Sequence, residues 1–368
     1  EERYVEKLAT PDVSVADLIG DVDPIKAATR KLTYADERVI HFGLVPRAHR
    51  SLFVLNELPD LQARIQVSLF NILQEGDIQV RGFKLRLPLD IQFVFTANPE
   101  DYTNRGSIIT PLKDRIESQI LTHYPKTIDI ARQITQQEVR LTEAQRKSIQ
   151  VPDLLSILLE QIAFNARDSE YIDEKSGVSA RLTISAYENL VSTAERRMLL
   201  NGEQQTHARI TDFWGVVPAI TGKVELVYEG EQEGPYMVAM ALLNEAIKKA
   251  FLDHFPHPEK LKHGEERDPY GTLRQWFGAG HTIELLNDAS DADYRKALDK
   301  VVGLRKLVER TLPKLNEAET YLYMELVLHG LAEFQVLNKD ILESSLSFRD
   351  LLANMLGDDD LLDEFRDN

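Results

Sequence analysis

The residue types best able to do chemistry stand at the ends of two short apolar runs. In Ser51–Leu58 (SLFVLNEL), the four apolar residues Leu52 to Leu55 stop at the polar pair Asn56-Glu57. Further along, Ile91–Asn98 (IQFVFTAN) is a second apolar run, and it also ends in an asparagine, Asn98. A short unbroken apolar run predicts a strand buried on both faces, as in parallel sheets covered by helices. An amide and a carboxylate at its end lie at the C-terminal edge of the sheet, where open α/β sheets bind ligands. The plainer alternative is a core strand followed by a solvated loop.

Other chemistries find less support. The chain has one Gly-Lys pair, Gly222-Lys223, in VVPAITGKVEL. A phosphate-cradling loop needs G-x-x-x-x-G-K-[ST], but Val217 replaces the first glycine and Val224 the magnesium-binding hydroxyl. His254, His257 and His263 cluster in HFPHPEKLKH, yet Pro256 and Pro258 prevent a regular helical face, and no carboxylates stand near at ligand spacing. Without cysteines there is no disulfide framework, thiolate metal site or cysteine nucleophile. No Ser-His-Asp arrangement stands out.

A length of 368 residues predicts two or three domains. The hydrophobic share of 43% with 28% charged residues is that of a soluble globular protein. A net charge of −17 disfavours broad nucleic-acid binding, which needs a basic surface. No apolar run is long enough to span a bilayer, and EERYVEKL lacks a signal-peptide pattern, so a cytoplasmic protein is expected.

The elements around the two runs follow from periodicity and punctuation. Asp23-Pro24 opens a short helix over Ile25–Arg30. After the first run, Pro59 and Asp60 start a helix with an apolar stripe of Leu61, Ile65, Leu69 and Ile72/Leu73, ended by Gly76. Asp77–Val80 and Phe83–Leu87 flank Arg81-Gly82 as a hairpin. Thr110–Ser118 reads as a short helix and Gln119–Tyr124 as a strand. Helices are expected over 126–138, 152–167, 179–200 and 211–220, then an extended piece, Lys223–Tyr228. The acidic EGEQEG of 229–234 reads as a linker. Further helices are expected over 236–255, 293–310, 315–335 and 347–356, ahead of an acidic tail.

Taken in order, these features resemble the nucleotide-binding module of AAA+ ATPases, in the branch of the magnesium-chelatase motor subunit and the MoxR-type ATPases. The resemblance spans about residues 10–220. LFVLNE (52–57) resembles a Walker B strand, which implies that Glu57 polarises the water attacking the γ-phosphate. The family has an aspartate where this chain has Asn56. An amide can accept a hydrogen bond from a metal-bound water but brings no charge to Mg²⁺. FTANPED (95–101) resembles sensor 1, with Asn98 on the γ-phosphate or the water; its alternative is an Asn-Pro turn. TPLKDRIES (110–118) resembles the arginine-finger helix, which implies that Arg115 reaches a neighbouring subunit's site. Its alternative is a surface ion pair with Asp114 or Glu117. GVSARLTISAYENL (177–190) resembles sensor 2, with Arg181 in the first turn of a lid helix. Arg47 and Arg50 match a basic pair near the subunit interface. The hairpin at 77–88 and an insertion at 17–42 point to this branch, where such elements line the pore or face the substrate.

In the family the phosphate loop precedes the region where this chain begins, so a fragment lacking it is expected; a natural loss of nucleotide binding is the alternative. The expected fold class is α/β plus all-α: a partial AAA+ parallel-sheet core (1–125), a helical lid (126–228) and a C-terminal helical domain (229–368). The resemblance implies ATP and Mg²⁺ as cofactors, self-association into a ring, and a protein partner or substrate that is remodelled or receives a metal. Nucleic acid and membrane are not expected as partners. Two rivals stay open: a non-catalytic AAA+-like scaffold or adaptor, and a σ54-activator-like protein, disfavoured because no helix-turn-helix or basic face is visible.

Overall fold

The computed structural model describes residues 3–33, 36–80, 86–98, 107–174, 177–259, 268–341 and 345–351. It is a mixed α/β structure with a parallel sheet and many helices. It divides into two compact units, Glu1–His123 and Tyr124–Asn368.

The first unit is organised on a three-stranded sheet in the order Tyr4–Leu8, Ser51–Asn56, Ile91–Phe95, with both pairings parallel. The strand Tyr4–Leu8 was not expected from the sequence; its apolar and charged residues alternate without a clean pattern because its outer face is wet. The central strand is buried on one face, not two. Phe53 and Leu55 are 1% and 0% exposed, whereas Leu52 is 39% exposed. Leu52 shares its open face with Tyr4, Leu8 and Val94, all exposed. An apolar run alone does not count the layers that will cover it.

The stripe after the central strand behaves as expected: Leu61, Ile65, Leu69 and Ile72 are all at most 5% exposed. Burying each contributes about 1.5–3 kcal/mol. Ile65 and Ile72 lie on two consecutive helices, Ala63–Ser68 and Phe70–Glu75, with Leu61 ahead of the first, Leu69 between them, and Gly76 in the left-handed region closing the second. The helix starts at Ala63 because Pro59 and Asp60 form a separate 3-10 turn, Leu58–Asp60. Pro24–Arg30 is the expected helix, with the Asp23 carboxylate accepting from the Lys26 N–H at 2.9 Å. The hairpin pairs Asp77–Gln79 with Arg86–Pro88; Arg81-Gly82 and Phe83 lie outside the described residues. Thr110–Lys113 is helical. Gln119–Tyr124 is not a strand, and Ile120 and Leu121 are 90% and 76% exposed. Tyr124 instead packs into the second unit, its hydroxyl donating to the Val178 carbonyl at 2.5 Å.

In the second unit the helices Ile128–Glu138, Asp153–Asp168, Leu182–Leu200, Pro235–His254 and Glu317–Glu333 match the expected ones. The 211–220 region is a 3-10 segment, Ile210–Gly215, followed by the helix Val217–Thr221. The expected 293–310 helix is two, Asp291–Asp299 and Leu304–Thr311. One apolar core runs from Ile149 to Phe348. Two expectations fail. The acidic 229–234 stretch is helical, Tyr228–Glu233, not a linker. Its Gly230 serves close approach: a Cβ there would lie 2.4 Å from the Tyr171 carbonyl oxygen. The 347–356 helix is replaced by a strand, Ser345–Asp350, which pairs antiparallel with Ile283–Leu286 and Leu337–Ile341. The rest of that expected helix, like the acidic tail, lies outside the described residues.

A buried charge network ties the 206–215 segment to the helices. The Arg197 guanidinium, 1% exposed, donates to both Asp212 carboxylate oxygens at 3.0 Å and to Thr206 Oγ1 at 3.0 Å. Glu325, fully buried, accepts from the backbone N–H groups of Ile210 and Thr211 and from the Tyr294 hydroxyl. A buried carboxylate with this many donors is satisfied in place.

Gly330 tests the packing of Glu317–Glu333 on Pro235–His254. Alanine in a helix interior normally gains about 1 kcal/mol over glycine. Here its Cβ would meet Phe251 Cδ2 at 2.2 Å. Gly330→Ala is therefore expected to destabilise the protein by about 1–3 kcal/mol, read as a lower midpoint in urea unfolding; an unchanged or higher midpoint would contradict this packing.

Candidate functional site

Parallel pairing puts the ends of all three strands at one edge of the sheet. Leu8 stands opposite Asn56, and Leu55 opposite Phe95, so Asn56-Glu57 and Thr96–Asn98 emerge side by side. The two asparagines and the glutamate singled out from the sequence therefore meet. The Asn98 amide donates to Glu57 Oε2 at 3.4 Å. Glu57 and Asn56 are half-buried and Asn98 is exposed, so the edge is open to a ligand.

Two further residues organise the site. Thr96 Oγ1 accepts from the Glu57 backbone N–H at 3.1 Å and donates to Asn56 Oδ1 at 3.2 Å. Asn56 Nδ2 donates to Glu6 Oε1 on the neighbouring strand. Thr96 was readable as the hydroxyl in FTAN, one strand over from LNE. Glu6 was not, because its strand was not recognised.

Glu57 itself carries an unusual backbone. Its φ of 57° and ψ of 49° place it in the left-handed region, and it precedes the 3-10 turn Leu58–Asp60. For a residue that is neither Gly, Asn nor Asp this costs roughly 1–2 kcal/mol. The Leu58 N–H donating to the Thr96 carbonyl at 2.9 Å, together with the Thr96 hydroxyl, holds the chain in this turn. The effect is to swing the carboxylate off the strand axis toward Asn98. Strain of this kind, held in place by its surroundings, is common where a side chain must be aimed.

The donors at this edge are all oxygens or amides: the Glu57 and Glu6 carboxylates, the Asn56 and Asn98 side chains and the Thr96 hydroxyl. That set suits Mg²⁺, a hard cation that keeps several waters and takes one or two carboxylates plus substrate phosphates. It does not amount to an all-protein cage, and among the described residues no group of three or more His, Cys, Asp or Glu could hold a metal. His254 and His257 belong to no such group, and His263 lies outside the described residues.

The arginines separate. Arg115 lies in the first unit, half-buried, just past the helix Thr110–Lys113. Its guanidinium donates to Gln74 Oε1 at 3.2 and 2.9 Å and to the Pro111 carbonyl at 2.6 Å, and it stacks 4.5 Å over the Phe70 ring. These contacts replace the ion pair with Asp114 or Glu117 weighed from the sequence. Arg47 donates to the Gly43 carbonyl at 3.2 Å, and Arg50 has a left-handed backbone with its N–H on the Asp90 carbonyl; both are exposed. Arg181 belongs to the second unit. It is the exposed residue just ahead of the helix Leu182–Leu200, with its N–H donating to Ser179 Oγ at 3.2 Å.

Comparison with known proteins bears on this edge directly. Residues 29–120 match the model of the sigma-54 interaction domain. Among solved structures, a protein assigned as an ATPase from Cytophaga hutchinsonii is 18% identical, with 66% of this chain and 76% of that chain covered and a TM-score of 0.27. NtrX from Brucella abortus is 14% identical, with 68% and 51% covered and a TM-score of 0.37, so the chain spans about half of it. A complex of the magnesium chelatase subunits BchI and BchD gives 16% identity, 63% and 72% coverage and a TM-score of 0.28. TM-scores this low do not establish a shared overall fold. Residues 29–120, the span that holds Asn56, Glu57, Asn98 and Arg115, are similar to the sigma-54 interaction domain.

Proposed function

We propose that the chain is an AAA+ motor module, similar to the magnesium-chelatase and MoxR-type branch, that couples ATP hydrolysis between subunits to remodelling a partner or inserting a metal. The observation that carries this reading is the Asn98 amide on the Glu57 carboxylate across adjacent parallel strand ends. In this reading Glu57 orients the attacking water and takes its proton. Asn98 holds the carboxylate and touches the γ-phosphate or the water. Asn56 accepts from a water on Mg²⁺, with its amide held by Thr96 and Glu6. Mg²⁺-ATP, when bound, supplies the phosphoryl group and the charge that offsets its oxygens.

Arg115 is the candidate finger for the adjoining subunit, and Arg181 the candidate sensor of the second unit. Gln74 parks Arg115 against its own subunit, so the finger role requires exchanging that neutral partner for a phosphate. The exchange is favourable in sign, because guanidinium binds phosphate oxygens more strongly than an amide. The proposed division of the second unit is a lid over 126–228 and a further region over 229–368.

The sigma-54 interaction match favours one rival for the partner, a sigma-54-type factor. Retention of purified sigma-54 by the chain in the presence of a transition-state analogue of ATP would select it. The scaffold reading rests on Asn56 and on the absence of G-x-x-x-x-G-K-[ST] from the sequence.

Lacking that loop, the 368-residue chain by itself is expected to hydrolyse ATP poorly or not at all. Robust turnover that disappears in Glu57→Gln would overturn this expectation. In a full-length protein bearing a phosphate loop, Glu57→Gln should lower kcat by about 10²–10⁴. Arg115→Ala should lower it by about 10³ or more with nucleotide affinity nearly intact. Mixing the two inactive variants should restore part of the turnover, since some interfaces then pair an intact Glu57 with an intact Arg115. Loss of nucleotide binding in Arg115→Ala, or no recovery on mixing, argues against the finger.

A further inference from the structure

Within the Tyr124–Asn368 unit lies a cavity of about 210 Å³, far more than the roughly 10–15 Å³ a single water needs. Its floor is apolar: Phe213, Leu243 and Ile247 are each at most 5% exposed. Trp214 and Tyr236 stand at its mouth, about half exposed. A deep apolar cavity with an aromatic rim and few polar groups is the usual form of a small-molecule site.

One polar side chain in it has no hydrogen bond. His329, on the helix Glu317–Glu333, is 4% exposed, and neither ring nitrogen makes a hydrogen bond. The Glu325 carboxylate is 3.8 Å from Nε2, too far for a hydrogen bond. Its Oε2 accepts from the Ile210 N–H and the Tyr294 hydroxyl and its Oε1 from the Thr211 N–H, so the carboxylate faces the ring as a charge and not as a hydrogen-bond acceptor at this distance. Phe348 meets the ring edge-on at 5.1 Å and offers no acceptor. Leaving such a group unsatisfied costs about 1–3 kcal/mol. Burial pushes the imidazole pKa down and outweighs the nearby Glu325 and Glu333 carboxylates, which pull it up, while the Lys339 ammonium adds to the lowering. His329 is therefore neutral near pH 7, with one donor and one acceptor nitrogen.

Lys339 also lines the cavity. Its Nζ donates to Asn244 Oδ1 at 2.9 Å and to Glu333 Oε1 at 2.6 Å. An ammonium has three donors, so one N–H remains after these two. Its charge is balanced by Glu333, so the lining attracts neither a cation nor an anion strongly. A group that both donates and accepts at a neutral imidazole is a hydroxyl. The flat faces of Phe213 in the floor and of Trp214 at the mouth suit an aromatic ring.

We propose that this cavity binds a small phenol, with its ring against Phe213 and Leu243 and its hydroxyl on His329. The site lies outside the proposed ATPase machinery and does not depend on that reading. The probe pair is p-cresol and p-xylene, which differ by hydroxyl against methyl, titrated calorimetrically into the 368-residue chain. We expect p-cresol to bind saturably and about ten-fold or more tighter than p-xylene. His329→Leu should reduce that preference to about three-fold or less. Because this variant removes a buried ring, the wild-type protein provides a second measurement: the His329 ring nitrogen shifts should move on adding p-cresol and stay put on adding p-xylene. Equal affinity for both probes, an unmoved His329 signal, or a preference kept in His329→Leu would overturn the proposal. So would no saturable binding of p-cresol, which would mean a cavity filled by water only.

Discussion

The parallel pairing of Ser51–Asn56 with Ile91–Phe95 is the constraint on which the candidate site depends. Parallel strands end on the same edge, so two polar tails far apart in sequence become neighbours without further adjustment. The Thr96 hydroxyl and carbonyl then bind the backbone on either side of Glu57 and hold it left-handed. A slip of one residue in this register would turn Phe53 and Leu55 out of the core. Burial of those two side chains therefore also sets where the Glu57 carboxylate points.

The second unit solves a different problem. Its core encloses charges, and Arg197, Asp212 and Glu325 are each almost fully buried. They are tolerated because each has several geometrically sound partners, and removing one partner would strand the others. His329 breaks this pattern. It sits one helical turn from the well-satisfied Glu325 and yet has no hydrogen bond of its own. Arg132 Nε, Arg167 Nε and Glu203 Oε2 are also buried without a hydrogen bond, but among the described residues His329 is the one that lines the apolar cavity and lacks a bond at both of its ring nitrogens.

The sequence showed the site more clearly than the fold around it. Glu57, Asn56 and Asn98 were legible because each follows an unbroken apolar run, and Leu61, Ile65, Leu69 and Ile72 because a helical stripe repeats. Tyr4–Leu8 escaped notice since one face of the sheet is open, which mixes Tyr4, Glu6 and Leu8 into the exposed positions. Glu6, the partner of Asn56, was lost with it. Gly230 read as a break because glycine marks loops and close contacts alike, and only the Tyr171 carbonyl beside it tells them apart. Phe348, Leu351 and Leu352 fall at helical spacing while Leu346 and Phe348 alternate as in a strand, and pairing with distant Leu285 and Ile283 decided it. Arg115 was placed on a credible helix, but its hold on Gln74 and Phe70 depends on a tertiary contact that no local pattern encodes.

The account rests on Glu57 and Asn98 acting as one unit on one water. A double-mutant cycle on ATP turnover, with Glu57→Gln, Asn98→Ala and both together in a protein that joins this chain to a phosphate loop, measures that directly. If the two side chains work through each other, the double variant is no slower than Glu57→Gln alone. Independent, additive losses, or full turnover in Glu57→Gln, would contradict it.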